Sequence, residues 1–194
     1  MPFVCDECGV LSIGYAALGA QDATQPSATL DTGDCDVLWY PAVALHKEYP
    51  DVPDHIAAAA SEAHACQSIG AHRAAVMLAR AVVEATAKHN GIKNGLLHAK
   101  IDEMFKQEII SKLTKSTAHE IRFMGNDMAH GDFVIELDAE DSGDVLTFMD
   151  ELLAEVYQSP ARLSARQVVR AARNDEAKKR AEVEAALEAA EQSA

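Results

Sequence analysis

One stretch, residues 118–131, constrains the fold more than any other part of the chain. Arg122, Asn126 and His130 recur at every fourth position of it. Because a helix turns by about 100° per residue, these three positions lie close together on one helical face. The apolar residues of the stretch fall on another side, where they can join a core: Ile121, Met124 and Met128. The pattern predicts an amphipathic helix.

Two glycines in this stretch have different predicted roles. Gly125 lies in its middle, where glycine costs about 1 kcal/mol relative to alanine. Close approach of a neighbouring helix is one reason to keep a glycine there. Gly131 is predicted to end the helix, since glycine is favoured just beyond a helical C-terminus.

The three polar side chains have a chemical and a structural interpretation. A guanidinium can clamp a phosphate, an imidazole can move a proton near neutral pH, and an amide can orient either group. The structural alternative is a buried polar network that fixes helix packing. Spacing alone favours the structural alternative somewhat, because polar residues four positions apart are common by chance.

Composition agrees with a helical protein. Hydrophobic residues make up 48% of the 194 residues, but only 5% are aromatic and alanine is abundant. A β-sandwich would require more β-branched and aromatic residues, so closely packed helices are predicted. The length is sufficient for one domain with a core and some appendages.

Charge and hydropathy limit the binding partners and the cellular location that are expected for this protein. The net charge of −14 repels nucleic acid on average, so any contact with RNA would need a local basic patch. No apolar run approaches the roughly 20 residues that span a bilayer, and the first residues lack the basic region of a signal peptide. Four cysteines are too few for a disulfide framework. A cytoplasmic protein without membrane contact is expected.

Residues 1–50 form a distinct N-terminal segment with short β-prone runs at 10–15 and 37–40. Cys5 and Cys8 form a C-x-x-C pair followed by glycine, which is typical of half a zinc ribbon. Cys35 is the one further cysteine nearby, and His46 or an aspartate would have to complete the site. The alternative is a ribbon that has lost its metal and is held together by apolar side chains. The sequence leaves both alternatives open.

Residues 51–160 are predicted to form four main helices and a short one. The expected ranges are 51–69, 71–90, 96–105 with a continuation to 113, 114–129, and 139–158. Ser116 or Thr117 is expected to cap the fourth of these, and Asp138 or Asp141 the last. Ser159 and Pro160 are expected to stop the last helix.

Arg80 and Glu84 are spaced as an ion pair on the second helix. Such a pair on a surface contributes only about 0.2–0.5 kcal/mol. It would support the polar face of residues 118–131 only if Glu84 faced Arg122 or His130.

Residues 161–194 form a charged tail with high helix propensity and few large apolar side chains. Its first half carries a basic stripe and its end is acidic. A solvated helix is favoured over an RNA-binding one. The tail also offers four apolar residues for docking on a protein partner: Val168, Val169, Val183 and Leu187.

Several motifs together resemble a bacterial family, the domain of unknown function 4145. They are the C-x-x-C-G segment, Tyr49-Pro-Asp-x-Pro, Glu62-Ala63, Ala75-x-x-Leu-x-Arg-x-x-x-Glu84, Ile121-Arg-x-x-Gly-Asn-x-x-Ala-His130 and Tyr157-x-x-Pro160. The resemblance covers about residues 1–160 and leaves the tail outside. That family looks like a branch of the HEPN superfamily (higher eukaryote and prokaryote nucleotide-binding). This superfamily consists of four-helix bundles found in toxins, defence systems and restriction-enzyme subunits.

The resemblance implies a site and a mode of action. Many HEPN proteins are metal-independent ribonucleases in which an Arg-x(4–6)-His motif meets its copy across a dimer. Carried over to this chain, the motif falls on Arg122, Asn126 and His130. Seven residues separate Arg122 from His130, which is longer than the usual interval. The ribbon also departs from the pattern, having lost one of four cysteines.

The fold expected is therefore mainly α: a HEPN-like four-helix bundle at 51–160, a zinc-ribbon-like segment at 1–50 and a helical tail at 161–194. The expected function is a nucleotide-binding, RNA-binding or protein-interaction module of a bacterial or phage defence or toxin system. The alternative is a metal-independent ribonuclease using Arg122 and His130. A homodimer is predicted that brings two copies of the Arg122–His130 face together or near each other. Gly125, Met124 and Met128 suit such a contact between helices.

Overall fold

A computed structural model describes residues 2–4, 11–15, 38–40, 44–129 and 136–191 of the chain. The chain divides into two units, residues 1–45 and residues 46–194. Within the described residues, no helix is long and apolar enough to cross a bilayer.

The first unit contains a three-stranded antiparallel sheet. Its strands are β1 (Pro2–Val4), β2 (Leu11–Tyr15) and β3 (Leu38–Tyr40), in that order across the sheet. Val4 pairs with Leu11, and Gly14 lies opposite Trp39. The two β-prone runs are thus confirmed as strands, while β1 was not predicted. Cys5, Cys8 and Cys35 lie outside the described residues.

The second unit is helical, which confirms the mainly α prediction. Its helices are α1 (Asp54–Ser68), α2 (His72–His89), α3 (Leu97–Lys106), α4 (Lys112–Ala129), α5 (Ala139–Leu153) and α6 (Ser159–Glu191). A five-residue π-helical segment, Ala154–Gln158, joins α5 to α6. The short helix of the expected set is α3.

The core lies between α1, α2, α4 and α5, with α3 packed against α2 and α4. Aliphatic side chains and methionines dominate it, as expected from the low aromatic content. The largest fully buried side chains are Ile56, Val76, Val82, Val83, Ile101, Met104, Ile121, Val145, Leu146, Met149, Leu152 and Leu153. Small residues on α1 and α2 let these helices approach closely.

The start of α4 differs from the prediction. The Thr114 backbone N–H donates to Ser111 Oγ at 3.2 Å, which makes Ser111 the capping residue. Glu155 also accepts a 2.7 Å hydrogen bond from the Ser111 backbone N–H. The prediction that Ser116 or Thr117 caps the helix is wrong, because the helix already begins at Lys112 and Ser116 Oγ donates back to the Lys112 carbonyl.

The prediction for the start of α5 is confirmed, and the prediction for its end is wrong. At its start, the Asp138 side chain accepts from the Asp141 backbone, so Asp138 is the cap of the two predicted residues, and the two form a capping box. At its end, the predicted stop at Ser159 and Pro160 is wrong. The Ser159 N–H bonds to the Ala154 carbonyl five residues back, so the turn before Pro160 is widened. A π turn changes the backbone pairing ahead of proline, and the chain continues into α6.

Residues 46–50 belong to the helical unit, although they were assigned to the N-terminal segment. Tyr49 is buried, and its hydroxyl donates to the Asp150 carboxylate on α5. Lys47 Nζ lies 2.5 Å from the same carboxylate and His64 Nε2 lies 3.2 Å from it. Burial and the nearby Asp150 charge raise the pKa of Tyr49. Asp150 therefore fastens the segment before α1 to the bundle.

We expect Asp150→Asn to lower the free energy of unfolding by about 1–2 kcal/mol, because a half-buried carboxylate with three donors loses its charge. Urea denaturation followed by circular dichroism measures this change. Asp144→Asn, at an exposed position of the same helix, is the matched control and should have little effect. Equal stability of the two variants would contradict the role of Asp150.

Candidate anion-binding site

Helix α4 carries the polar face predicted from the sequence. It is helical throughout Lys112–Ala129, so Arg122 and Asn126 lie one turn apart on one face, and both are half-buried. This confirms the helical prediction for these two residues. His130 lies outside the described residues, so its position relative to them stays a prediction.

Gly125 marks a close approach between α4 and α2. A Cβ atom at this position would lie 2.7 Å from Arg80 Cδ and 3.0 Å from Arg80 Cβ. The aliphatic stem of Arg80 therefore lies directly over the glycine. The close approach predicted for Gly125 is present, but its partner is a side chain of the same chain. Gly125 is covered within one copy, and the predicted dimer through this face stays a prediction.

The two arginines share an electrostatic feature. The Nε atoms of Arg80 and Arg122 are both buried, and neither has a hydrogen-bond partner among the residues that the structure describes. Among the described residues, neither side chain forms an ion pair with a carboxylate. Since Arg80 covers Gly125 and Arg122 precedes Gly125 by three residues, the two side chains lie about one helical turn apart along α4. Two guanidinium groups, each with an Nε donor that has no partner in the described part of the chain, suit an anion.

An aromatic ring adjoins this pair. Arg122 Cζ lies 3.9 Å from the centre of the Phe123 ring, and Phe123 is 54% exposed. A cation over an aromatic face is attracted to the ring, which orients the guanidinium. The exposed ring also offers a surface on which a planar group can stack.

Glu84 has other partners than the sequence suggested. Its carboxylate accepts hydrogen bonds at 2.8 Å from Lys100 on α3 and from Lys88 one turn along α2. The Lys100 bond, followed by the Lys88 bond, lowers the pKa of Glu84 to about 2. Among the described residues no ion pair joins Arg80 to Glu84, so that prediction is wrong. The reason is that Lys100 is only 3% exposed and needs a counter-charge, whereas Arg80 is drawn over Gly125.

Sequence reasoning missed two further residues on the same face of α4. Lys115 Nζ lies 2.7 Å and His119 Nε2 lies 3.4 Å from Asp102 Oδ1 on α3. The hydrogen bond from Lys115 is the main cause that lowers the pKa of Asp102. Positions 115, 119, 122 and 126 follow the helical period, so the same spacing rule would have found both residues. Their partner Asp102 is visible only in the tertiary structure.

A family match covers this whole region. The model of the family described as "Domain of unknown function (DUF4145)" matches residues 61–186, nearly two thirds of the chain. The chain belongs to the DUF4145 family. No curated protein matches it. No solved structure matches it either.

The extent of the DUF4145 match corrects the expected range. The match begins within α1 and ends within α6, so it includes Arg80, Glu84, Arg122, Asn126 and His130. It also includes most of the tail, which was expected to lie outside the resemblance. Residues 1–60, with the C-x-x-C segment, lie outside the match.

Metal ligands are not gathered in the part of the protein that the structure describes. No group of three or more His, Cys, Asp or Glu side chains there is placed to hold a metal ion. The predicted ligands Cys5, Cys8 and Cys35 are not among these residues. Zinc in the N-terminal segment therefore stays a prediction.

Proposed function

We propose that this DUF4145 protein is a HEPN-like module that binds the phosphate of a nucleotide or of RNA between Arg80 and Arg122. The observation that carries the proposal is the pair of buried Nε atoms for which the described residues offer no acceptor. A buried donor without a partner costs about 1–3 kcal/mol, and a guanidinium that turns towards the surface on binding would offer this donor to a phosphate oxygen. The bacterial or phage defence setting is the one that the resemblance implies.

Local charge supports an anionic ligand in spite of the acidic chain. Besides the two arginines, α2 and α3 contribute Lys88 and Lys100, and one carboxylate, Glu84, is shared by both lysines. Lys100 is buried and Lys88 is half exposed, so these five groups together carry an excess of positive charge, while the chain as a whole carries −14. A local basic patch of this kind is what an acidic protein needs to approach a phosphate.

The exposed Phe123 ring favours a nucleotide over a free phosphate. Bases stack on aromatic side chains with about 1–3 kcal/mol per base, largely without regard to sequence. The ring lies beside the guanidinium of Arg122. A ligand with a phosphate and an adjoining base would use both groups.

We expect Arg122→Met to weaken the binding of a labelled single-stranded RNA oligomer about tenfold, because one charge-assisted phosphate contact is lost. Fluorescence polarisation at fixed ionic strength measures the dissociation constant. Arg166→Met on α6, an exposed arginine of the tail, is the matched control and should change the constant little.

The same variant separates binding from a structural role. If Arg122 serves only to fix packing, Arg122→Met should lower the melting temperature and leave RNA binding proportional to the folded fraction. If it binds phosphate, stability should be unchanged or slightly higher, since the buried donor disappears. Unchanged affinity in Arg122→Met, or an equal loss in Arg166→Met, would contradict the proposed site.

A metal-independent ribonuclease is the alternative function. It would use His130 as the acid or base and Arg122 on the phosphate, with two copies of the site brought together in a homodimer. The resemblance supports it, and the long interval between the two residues weighs against it. Cleavage of the same oligomer that is lost in His130→Ala would establish this activity.

Structural zinc in residues 1–50 is a separate proposal, with Cys5 and Cys8 as ligands and Cys35 as a third. Thiolates at this spacing suit tetrahedral zinc. Elemental analysis of protein purified without chelators decides the matter.

A further inference from the structure

Helix α6 is exposed over most of the length for which the structure describes side chains. It spans Ser159–Glu191, about 50 Å at 1.5 Å per residue. Among the described elements it contacts only the π segment from which it emerges. Every described side chain from residue 162 to residue 180 is exposed, including Leu163, Val168 and Val169. A helix of this kind gains most of its stability from packing, so these exposed apolar side chains suit a packing partner.

Arginines in the first half of α6 and glutamates in its second half occupy matching positions. Arg166, Arg170 and Arg173 form a row on one face, and Glu184, Glu188 and Glu191 occupy the corresponding positions of the second half. Each glutamate follows its arginine by 18 residues, which is five turns at about 3.6 residues per turn. The two rows therefore share one helical face. Within the described side chains, no arginine of the first row forms an ion pair.

We propose that α6 pairs antiparallel with α6 of a second copy of this chain. In that arrangement the arginine row of each copy faces the glutamate row of the other, and two-fold symmetry repeats the match. A parallel pair would place like charges opposite each other over the whole length. The charge pattern thus selects both the partner and its direction.

Apolar residues agree with the same pairing. Val169 and Leu187 are also 18 residues apart, at the edge of the charged face. When the arginine row lies against the glutamate row, each Val169 approaches the Leu187 of the other copy. Alanines between them let the helices come close. This interface is independent of the proposed phosphate site, which lies on α2 and α4.

Charge reversal in the full-length chain tests the pairing by light scattering at low ionic strength over a range of concentrations. The wild-type chain should be dimeric. E184K/E188K/E191K and R166E/R170E/R173E should each raise the dimer dissociation constant at least about tenfold. The sixfold exchange that combines both sets should restore the dimer, because the rows are again complementary.

D175K/E182K is the matched control, since it reverses two charges on the opposite face of α6 and should leave the dimer intact. Circular dichroism of each variant verifies that the helix content is retained. A wild-type chain that stays monomeric, or a sixfold exchange that does not restore the dimer, would overturn the proposal. Loss of RNA binding in R166E/R170E/R173E from a monomeric wild-type chain would assign the basic row to RNA and overturn it as well.

Discussion

Glu84→Gln should lower the free energy of unfolding by about 3 kcal/mol, because it leaves Lys100 buried without a counter-charge. Lys100 is 3% exposed, and Glu84 is its partner at 2.8 Å. Lys88 shares the carboxylate but is half exposed, so water can replace this partner and the loss of the Lys88 ion pair costs less stability. Chemical denaturation in urea at neutral pH measures the difference.

Two further variants show whether the buried pair causes the loss. Glu103→Gln removes an exposed carboxylate that lies 3.6 Å from Lys106 and should cost less than about 0.5 kcal/mol. Glu84→Gln combined with Lys100→Met should recover most of the stability, since an apolar pair replaces the orphaned charge. A double variant as unstable as Glu84→Gln alone would contradict this explanation.

The pKa of Glu84 also predicts how the stability of the protein changes as the pH falls. The two lysines lower the pKa of Glu84 from its ordinary 4.5 to about 2. A lowered folded-state pKa means that this contribution to stability is complete above pH 4.5 and is lost as the pH falls towards 2. Glu84→Gln should therefore flatten the fall of stability in this range. An unchanged acid profile would show that other carboxylates dominate it.

Gly125→Leu should destabilise the bundle by about 3 kcal/mol or more, because the new side chain enters the space of the Arg80 stem. Even Gly125→Ala would place a Cβ 2.7 Å from Arg80 Cδ and 3.0 Å from its Cβ. The helix-propensity gain of about 1 kcal/mol is then offset by the clash, which costs about 1–3 kcal/mol. Thermal and urea denaturation report the net change.

A control substitution at another glycine and a double variant show whether the clash with Arg80 causes the destabilisation. Gly143→Ala on α5 meets only the end of the flexible Gln67 side chain, at 3.2 Å, and should be neutral or stabilising. Gly125→Ala together with Arg80→Ala should recover stability relative to the sum of the single changes, by about 1 kcal/mol. Additive single effects would show that Arg80 does not limit the space at Gly125.

The sequence alone predicted the elements that depend on local periodicity. The helix that carries Arg122 and Asn126, the other helices of the bundle and the strands β2 and β3 all follow from the spacing of apolar residues and from turn residues. Asp138 as a cap is equally local, since both partners of its capping box lie within one turn. Such features are visible because the interacting residues are neighbours in the chain.

Only the tertiary structure decided which side chains pair across elements. Glu84 bonds to Lys100 on α3, the Arg80 stem covers Gly125, and Asp102 holds Lys115 and His119. The continuation of α5 through a π segment into α6 was missed for a related reason, since the sequence signal of Pro160 is a stop. Burial creates the need for a partner, and burial depends on how distant helices pack. A residue such as Lys100 looks like a surface lysine until the packing places it 3% exposed beside a carboxylate.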